Sequence, residues 1–329
     1  MPETLIIVVV VLAIVFDYIN GFHDTANAIA TSVSTRALTP RYAVWMAAGL
    51  NFLGATYSTG VAKTIGGDLV TSAQMVNEPI IIAAMLGAIS WNLLTWWLGI
   101  PSSSSHALVG GVVGAVLVAK GYTALKLAGI LKIVAALIVS PLVAMGTGLL
   151  IMSALFWIFG NKAPGRINPK FKRLQIVTAA MMAFSHGSND AQKAMGIITL
   201  TLVSTGYLST LEVPMWVKIS TATAMGLGTA AGGWRIIRTM GTKIFKLEPI
   251  SGFAADLNSS IVIFGATLLH LPVSTTHVVS GSIMGVGTAK RISAVRWGVA
   301  QQMLMAWVLT IPCTAVVSAL CYKVIALFL

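Results

Sequence analysis

The chain has 329 residues, of which 57% are hydrophobic and only 9% are charged. A soluble domain carries about 25% charged residues, so this composition excludes a soluble protein. The net charge of +12 lies mostly in short loops between apolar segments, as the positive-inside rule expects, and gives no reason to predict a nucleic-acid partner. Continuous apolar runs such as LIIVVVVLAIVF lack the alternation of a transmembrane β-strand. We predict an all-α polytopic membrane protein in a lipid bilayer.

Residues 1–159 form the first predicted unit, in which two of the apolar segments are interrupted. The segment 4–35 starts without a basic region and predicts an uncleaved helix. We expect this helix to break at DYINGFHD, because it is longer than one span. The segment 79–119 is interrupted at GIPSSSSH, where Pro101 ends one helix and the serines begin another, which predicts a re-entrant hairpin. The other spans of this unit are predicted at 42–62 and 129–159.

Residues 160–173 form a polar loop with five Lys or Arg residues and no acid, which predicts a cytoplasmic position. The second unit, 174–329, repeats the pattern with breaks at FSHGSND and HLPVSTTH. If both hairpins are re-entrant, each unit crosses the bilayer an odd number of times, and the two units have opposite orientations. We predict an inverted repeat of about twelve helical segments, each half with a broken first helix and a re-entrant hairpin, and with both termini outside. The three lysines of 120–132 are the exception to the positive-inside rule, since they lie on the predicted outer side.

One short pattern occurs in both units, as GFHDTANA at 21–28 and HGSNDAQKA at 186–194. The two copies align Asp24 with Asp190. A carboxylate within the bilayer is costly, so an intramembrane acid indicates function. Two acids at equivalent places in two repeats predict one substrate site between the repeats of a transporter.

The two hairpin motifs predict an anion site. A helix N-terminus offers free N–H groups and the positive end of the helix dipole, and the hydroxyl groups of both motifs add further donors. Two such tips facing each other would hold a tetrahedral oxyanion from opposite sides. The alternative is that these hydroxyl groups only cap the helices. The residues are Ser103, Ser104, Ser105, Ser274, Thr275 and Thr276.

The residues around the two acids predict coupling to a cation. Asp24 and Asn27 are three apart and share a helical face, so with nearby carbonyls they would form an oxygen cage for a small cation. In the second copy Lys193 stands where the first copy has Asn27. Its ammonium would replace a bound cation, neutralise Asp190 or attract the anion; a structural ion pair is the alternative. The polar residues of the second copy are Asn189, Asp190, Gln192 and Lys193.

All five histidines lie in or beside these motifs, which is the pattern expected for proton handling near neutral pH. Of these, His270 is assigned a structural role. A transition-metal site with the two acids is an alternative, but the spacings match no compact metal motif, so we expect no metal held by protein ligands. Asp17 and Asp256 would either line the transport pathway or cap a helix end at the membrane interface. The histidines assigned to coupling are His23, His106, His186 and His277.

In combination, GFHDTANA, PSSSSH and PVSTTH resemble the duplicated signature of the inorganic phosphate transporter (PiT) family, over essentially the whole chain. The resemblance implies symport of phosphate with a cation, an inverted-repeat fold and frequently a homodimer. It also implies that the six hydroxyl residues are the phosphate-binding hairpin tips. By position, the cation and phosphate site would comprise Asp24, Asn27, Asn189, Asp190 and Gln192.

Two departures from the family pattern bear on the coupling ion. Sodium-coupled members typically have Asn-Asp where this chain has His23-Asp24, and they tend to have Asn at the position of Lys193. The chain is similar to the bacterial low-affinity branch, and this resemblance implies proton coupling and neutral metal–phosphate complexes. The long central insert of that branch is missing, and the short loop resembles members that work with a separate cytoplasmic regulatory protein.

We therefore predict a proton-coupled importer of inorganic phosphate in the cell inner membrane, without a cofactor. The phosphate would travel free or as a complex with Mg²⁺ or another divalent cation. Three alternatives stay open: a sodium-coupled phosphate or sulfate symporter on the same fold, a passive anion channel, and an intramembrane hydrolase built on Asp24 and Asp190.

Overall fold

The computed structural model describes residues 2–328, and within this range it contains twelve α-helices and no β-strand. The first six are α1 (Pro2–Ser34), α2 (Pro40–Tyr57), α3 (Gly60–Asp68), α4 (Glu78–Leu98), α5 (Ser104–Lys120) and α6 (Leu127–Phe159). The second six are α7 (Pro164–Ser204), α8 (Met215–Ala231), α9 (Trp234–Arg238), α10 (Pro249–Leu268), α11 (Thr275–Lys290) and α12 (Trp297–Ile325). The all-helical prediction is confirmed.

Five of these helices, α1, α4, α6, α10 and α12, are long and apolar enough to cross a membrane. The outer surface of α6 and α12 is apolar, with side chains such as Leu142 and Val308 exposed, whereas the interior contains many buried polar groups. This distribution suits a molecule surrounded by lipid, because lipid solvates apolar side chains and leaves polar groups to pair inside the protein.

The helices of the two halves pack against each other reciprocally. Helix α1 packs against α8, and α7 packs against α2 in the same way. Helix α5 packs against α12, and α11 against α6. Each half therefore supplies the partners of the other half, and the buried polar faces of α1 and α7 both lie in the shared interior.

The first helix of each half is not broken, contrary to the prediction. Helix α1 runs through DYINGFHD and α7 runs through FSHGSND without interruption. Neither stretch contains proline, and the polar side chains there are buried, so the backbone keeps its regular i→i−4 hydrogen bonds. Gly21 serves close packing instead, because a Cβ at this position would lie 2.5 Å from the Met225 carbonyl oxygen of α8.

The central loop is shorter than predicted. Only residues 160–163 are non-helical, and Pro164 begins α7, so most of the basic stretch forms the first turns of that helix. Proline is favoured in the first turn of a helix because its missing N–H would have no partner there. The total of twelve helices agrees with the prediction, but two of them are the short α3 and α9, which were not predicted, in place of the halves of two broken helices.

The breaks predicted within 79–119 and 252–288 are confirmed. Helix α4 ends at Leu98 and α5 begins at Ser104, and α10 ends at Leu268 before α11 begins at Thr275. Gly99 and His270, which occupy equivalent positions, both adopt left-handed backbone angles, with φ of 67° and 58°. Such angles are uncommon for a residue other than glycine, so the turn after α10 is held in place by its surroundings.

The exceptional lysines of 120–132 have a structural explanation. Lys126 and Lys132 lie 2.6 and 3.3 Å from the carboxylate of Asp68, at the end of α3. Burial alone would raise the pKa of Asp68, but the hydrogen bonds from the two lysines outweigh it and hold that pKa below its ordinary value. The basic segment therefore packs against the end of α3, where the Asp68 carboxylate offsets part of its positive charge.

Candidate functional site

The two hairpin tips are built in the same way. Ser103 and Ser274 are the N-cap residues of α5 and α11, and their hydroxyl oxygens accept from the backbone N–H groups of His106 and His277 at 3.2 and 3.3 Å. For these two serines the capping alternative therefore describes the observed contact. The cap leaves the other N–H groups at the start of each helix without a partner inside that helix, and such free groups are what an anion site at a helix N-terminus uses.

The next hydroxyl groups of each tip contact the two acids. Ser104 donates to one carboxylate oxygen of Asp24 at 3.2 Å, and Thr276 donates to the other at 3.3 Å. Thr275 donates to Asp190 at 3.2 Å. Both tips therefore meet at Asp24, although one tip comes from each half of the chain.

Two further contacts tie the tips to each other and to α1. Ser105 donates to the Val273 carbonyl oxygen at 2.8 Å and so links the first tip to the second. The amide nitrogen of Asn27 donates to Thr275 and Thr276 at 3.2 and 3.0 Å. Asn27 therefore lies in the centre, as predicted, but its amide group contacts the second tip.

Asn189 and Gln192, two of the four polar residues predicted in the second copy, lie in different parts of the structure. Asn189 donates to Thr267 and to the Leu271 carbonyl at 3.1 and 3.2 Å, and its oxygen accepts from the N–H of Val273 at 3.3 Å, so it holds the turn between α10 and α11. The Gln192 side chain instead contacts the Ser188 carbonyl and the backbone N–H of Ala62. The structure thus places Gln192 between α7 and α3, without a hydrogen bond to either central acid.

Asp24, Asp190 and His186 form a compact cluster, in which one ligand atom from each residue lies within 4.8 Å of the others. The Lys193 ammonium is 2.7 Å from Asp190, but the angle is too bent for a hydrogen bond. All four side chains are buried. The cluster has the oxygen and nitrogen donors that a cation needs. Sequence spacing did not predict it, because the three ligands come from two helices.

The four coupling histidines divide into two pairs. His23 lies with Nδ1 2.7 Å from Asp24, and His186 lies with Nε2 3.6 Å from Asp190, so one histidine accompanies each acid. His106 and His277 instead contact each other, with ring centroids 4.5 Å apart, and His277 stacks on Trp307. This second pair lines an apolar cleft of about 510 Å³ between α6 and α12.

Asn51 and Thr95 also belong to the site, although the sequence did not predict them. Asn51 lies with Oδ1 3.0 Å from Nδ1 of His186, and Thr95 lies with its hydroxyl oxygen 3.2 Å from Nε2 of His23. Both orient a histidine that contacts an acid. Asn51 is a single amide within the apolar α2, and that isolation is the signal that would have indicated it.

This arrangement brings two capped helix N-termini next to a buried acidic cluster, in a molecule with helices long enough to cross a membrane. Comparison with known proteins agrees with it. Residues 20–318 match the model of the phosphate transporter family, described as PHO4.

The chain belongs to the phosphate transporter family.

Relatives with similar sequences carry the same kind of name. A "Probable low-affinity inorganic phosphate transporter" of Bacillus subtilis is 52% identical, over 98% of this chain and 97% of the relative. A protein of Rhizobium meliloti with the same name is 48% identical, over 97% of this chain and 96% of the relative. These relatives are transporters and not enzymes, so the intramembrane hydrolase loses its support.

A solved structure shares the fold. It is titled "The sodium-dependent phosphate transporter" and matches with a TM-score of 0.89 at 27% identity, over 99% of this chain and all of that one. Membership of the phosphate transporter family and the apolar helices together make this chain a membrane protein, and phosphate is the substrate of its family.

Proposed function

We propose that this member of the phosphate transporter family imports inorganic phosphate across the cell inner membrane by cation symport, with the proton as the coupling ion. The observation that carries the proposal is the meeting of both hairpin tips at Asp24. Thr276 and Ser104 reach this carboxylate from opposite halves of the chain. A substrate held there contacts both halves, as alternating access between two repeats requires.

Phosphate binds where the hydroxyl groups now donate to carboxylates. Ser104, Thr275 and Thr276 have their donors occupied by Asp24 and Asp190. When a cation neutralises these acids, the hydroxyl groups become free to donate to a phosphate oxygen, and repulsion between the acids and the anion falls. Phosphate therefore binds well only after the cation. Lys193 adds positive charge, while Ser103, Ser105 and Ser274 shape the tips.

The proton is favoured because the chain already supplies one fixed cation. The Lys193 ammonium lies against Asp190, so only Asp24 needs a mobile positive charge among the two central acids. His23 contacts Asp24 directly and is suited to deliver a proton to it. Free phosphate and its complex with Mg²⁺ are both candidates for the transported species, since the complex carries less negative charge into the site.

Sodium coupling is the second candidate. The solved structure of similar fold is titled as sodium-dependent. In this chain the oxygens of Asp24 and Asp190, with the side-chain oxygen of Asn27 that has no hydrogen-bond partner, are the hard ligands that Na⁺ prefers. This reading gives the acids the same role and changes only the ion.

We also propose that the two halves, 1–159 and 174–329, are inverted repeats with re-entrant hairpins, the connection at 160–173 cytoplasmic and both termini outside. The helix breaks at equivalent positions and the reciprocal packing support this topology. The pairing of Lys126 and Lys132 with Asp68 supports a position on the same side of the membrane for both segments, as a re-entrant hairpin between them requires. A homodimer and a cytoplasmic regulatory protein remain proposals from family resemblance.

The test is uptake of radiolabelled phosphate by the purified protein in proteoliposomes. One arm imposes a pH gradient without sodium, with and without Mg²⁺, and the other imposes a sodium gradient at equal pH. Accumulation in the first arm that collapses with a protonophore supports the proposal. Accumulation only in the second arm replaces the proton by sodium, and equilibration without accumulation in both arms contradicts symport and favours a passive channel.

A further inference from the structure

A second group of buried polar side chains lies on α1, one to two turns before Asp24. Asp17 and Asn20 are three residues apart, so they share one helical face, and both are completely buried. The Asn20 amide lies close to the Asp17 carboxylate, but neither side chain has a well-formed hydrogen bond to any described residue. Buried polar groups are nearly always paired, so four unpaired atoms on one face indicate a missing partner.

A third side chain of this kind comes from α4. Asn92 is completely buried, and both atoms of its amide group lack a hydrogen-bond partner. One turn later on the same helix, Thr95 contacts His23 of α1, which is itself one turn after Asn20. If the two helices run in the same direction, Asn92 and Asn20 lie at the same level.

The contacts of the segment 233–241 show this direction. Gly233 abuts the Phe22 carbonyl of α1, and Gly241 abuts Ser34 at the end of α1, so the segment follows α1 along its direction. Gly99, at the end of α4, contacts this segment through Thr239, close to its Ser34 end. Helix α4 therefore advances in the same direction as α1, and Asn92 lies beside Asn20.

The charges near this group are not balanced. Asp17 lies within electrostatic reach of Asp190 and Lys193, both on α7. Together with Asp24, three buried carboxylates share one lysine ammonium, which is already against Asp190. A buried carboxylate without a counter-charge is strongly unfavourable. Positive charge at Asp17 would remove this imbalance, and the amide oxygens of Asn20 and Asn92 are hard donors suited to a small cation.

We propose that Asp17, Asn20 and Asn92 form a second cation site, separate from the Asp24, Asp190 and His186 cluster, and that its cation is transported together with phosphate. The occupant is a proton or Na⁺, since both satisfy a carboxylate flanked by amide oxygens. The inference rests on the proposed cation symport and adds one cation for each phosphate moved.

The experiment is a null-point measurement with the full-length protein in proteoliposomes. The ratio of internal to external phosphate concentration at which net phosphate flux stops is measured at a fixed tenfold cation gradient. Protons and sodium are tested in separate arms. Asp17→Asn removes the charge but keeps the size of the side chain. We expect this variant to transport phosphate with a limiting phosphate ratio about tenfold lower, because one fewer cation moves down its tenfold gradient with each phosphate. The arm in which the ratio falls identifies the ion.

The matched control is Asp68→Asn, which makes the same substitution at the end of α3, outside this group and the central cluster. It should keep the wild-type null point. A wild-type null point in Asp17→Asn would overturn the second site, whereas absence of accumulation in the wild type would instead contradict symport itself.

A second pair of variants covers the case in which Asp17→Asn does not fold. Asn20→Ala and Asn92→Ala each remove one amide oxygen and leave the charges unchanged. Each should raise the cation concentration for half-maximal uptake several-fold, in the arm that carries the ion, with the Km for phosphate at saturating cation unchanged. No change in the cation requirement in either variant would overturn the proposal.

Discussion

Lys193 and Asp190 form an ion pair that is completely buried in the centre of the molecule. Burying two charges is costly, and such a pair is seldom retained for stability alone. Here the pair lies beside Thr275 of one hairpin tip and beside His186, in the region where we propose that phosphate binds. We interpret Lys193 as a fixed cation in a position where a mobile one would otherwise bind.

Replacement of this fixed cation tests that interpretation. In Lys193→Asn the amide oxygen can coordinate an ion, so we expect phosphate uptake to become dependent on sodium. In Lys193→Met no replacement charge is available, and Asp190 loses its ammonium partner; breaking a buried ion pair in this way costs roughly 3–5 kcal/mol. We expect uptake by this variant to fall by at least about tenfold. Uptake is measured in sodium and in choline media; wild-type behaviour of both variants would show that the pair is only structural.

For single residues, the sequence predicted which side chains lie together better than which contacts each one makes. The duplicated motif was sufficient to predict that Asp24, Asp190 and the hydroxyl tips lie close to one another, because polar residues in apolar segments are costly and therefore few. It could not predict that Gln192 contacts the backbone of α3, or that His277 contacts His106 and stacks on Trp307. Those contacts depend on the rotation of each helix about its axis, which packing determines.

Close helix contact explains why α1 stays continuous. Gly21 allows α8 to approach, since a Cβ there would lie 2.5 Å from the Met225 oxygen and 2.9 Å from the Thr229 nitrogen. Both contacts are with backbone atoms, which cannot move aside as a flexible side chain can. From the sequence alone this polar, glycine-containing stretch predicts a break, because the helix that packs against the glycine lies about two hundred residues away in the chain.

Gly21→Ala should therefore destabilise the protein despite the higher helix propensity of alanine. Overpacking costs about 1–3 kcal/mol, which should lower the thermal unfolding temperature in detergent by several degrees. Gly146→Ala is the control, since Gly146 lies in α6 with no atom within 4 Å of the added Cβ, and it should be neutral or slightly stabilising. Equal unfolding temperatures for the two variants would contradict the proposed close packing of α1 and α8.

The contact between the end of α3 and the start of α6 is electrostatic, and it should depend on pH. The pKa of Asp68 lies below its ordinary value, because Lys126 and Lys132 stabilise its charged form. A carboxylate with a lowered pKa in the folded state contributes stability above its unfolded pKa, and that contribution is lost as the pH falls through the folded pKa.

The corresponding comparison is between the wild type and Asp68→Asn during acid titration in detergent. At pH 7 the wild type should unfold at the higher temperature. The difference should shrink as the pH falls below about 4, the ordinary range of an aspartate, and should vanish at lower pH. A difference that stays constant down to pH 3 would show that the two lysines do not stabilise the charged form of Asp68.

The whole molecule brings together parts that are far apart in the sequence. The first hairpin tip contacts Asp24 of its own half, and the second tip reaches both Asp24 and Asp190. The acids, the tips and Lys193 thus form one centre to which both halves contribute. Internal repetition made this convergence predictable, whereas the short helices α3 and α9 gave no periodic signal and emerged only in the structure.

The central claim for the whole molecule is that neutralising Asp24 with a cation makes the hydroxyl groups available to phosphate. Asp24→Asn keeps the size of the side chain and one acceptor oxygen, for either Ser104 or Thr276, but it no longer binds a proton. The most direct measurement compares two modes of transport in this variant: gradient-driven accumulation of phosphate, and exchange of phosphate across the membrane at equal concentrations. We expect accumulation to be lost while exchange persists, because phosphate binding and the conformational change of alternating access no longer require the proton. A variant that still accumulates phosphate against its gradient would contradict the coupling role of Asp24.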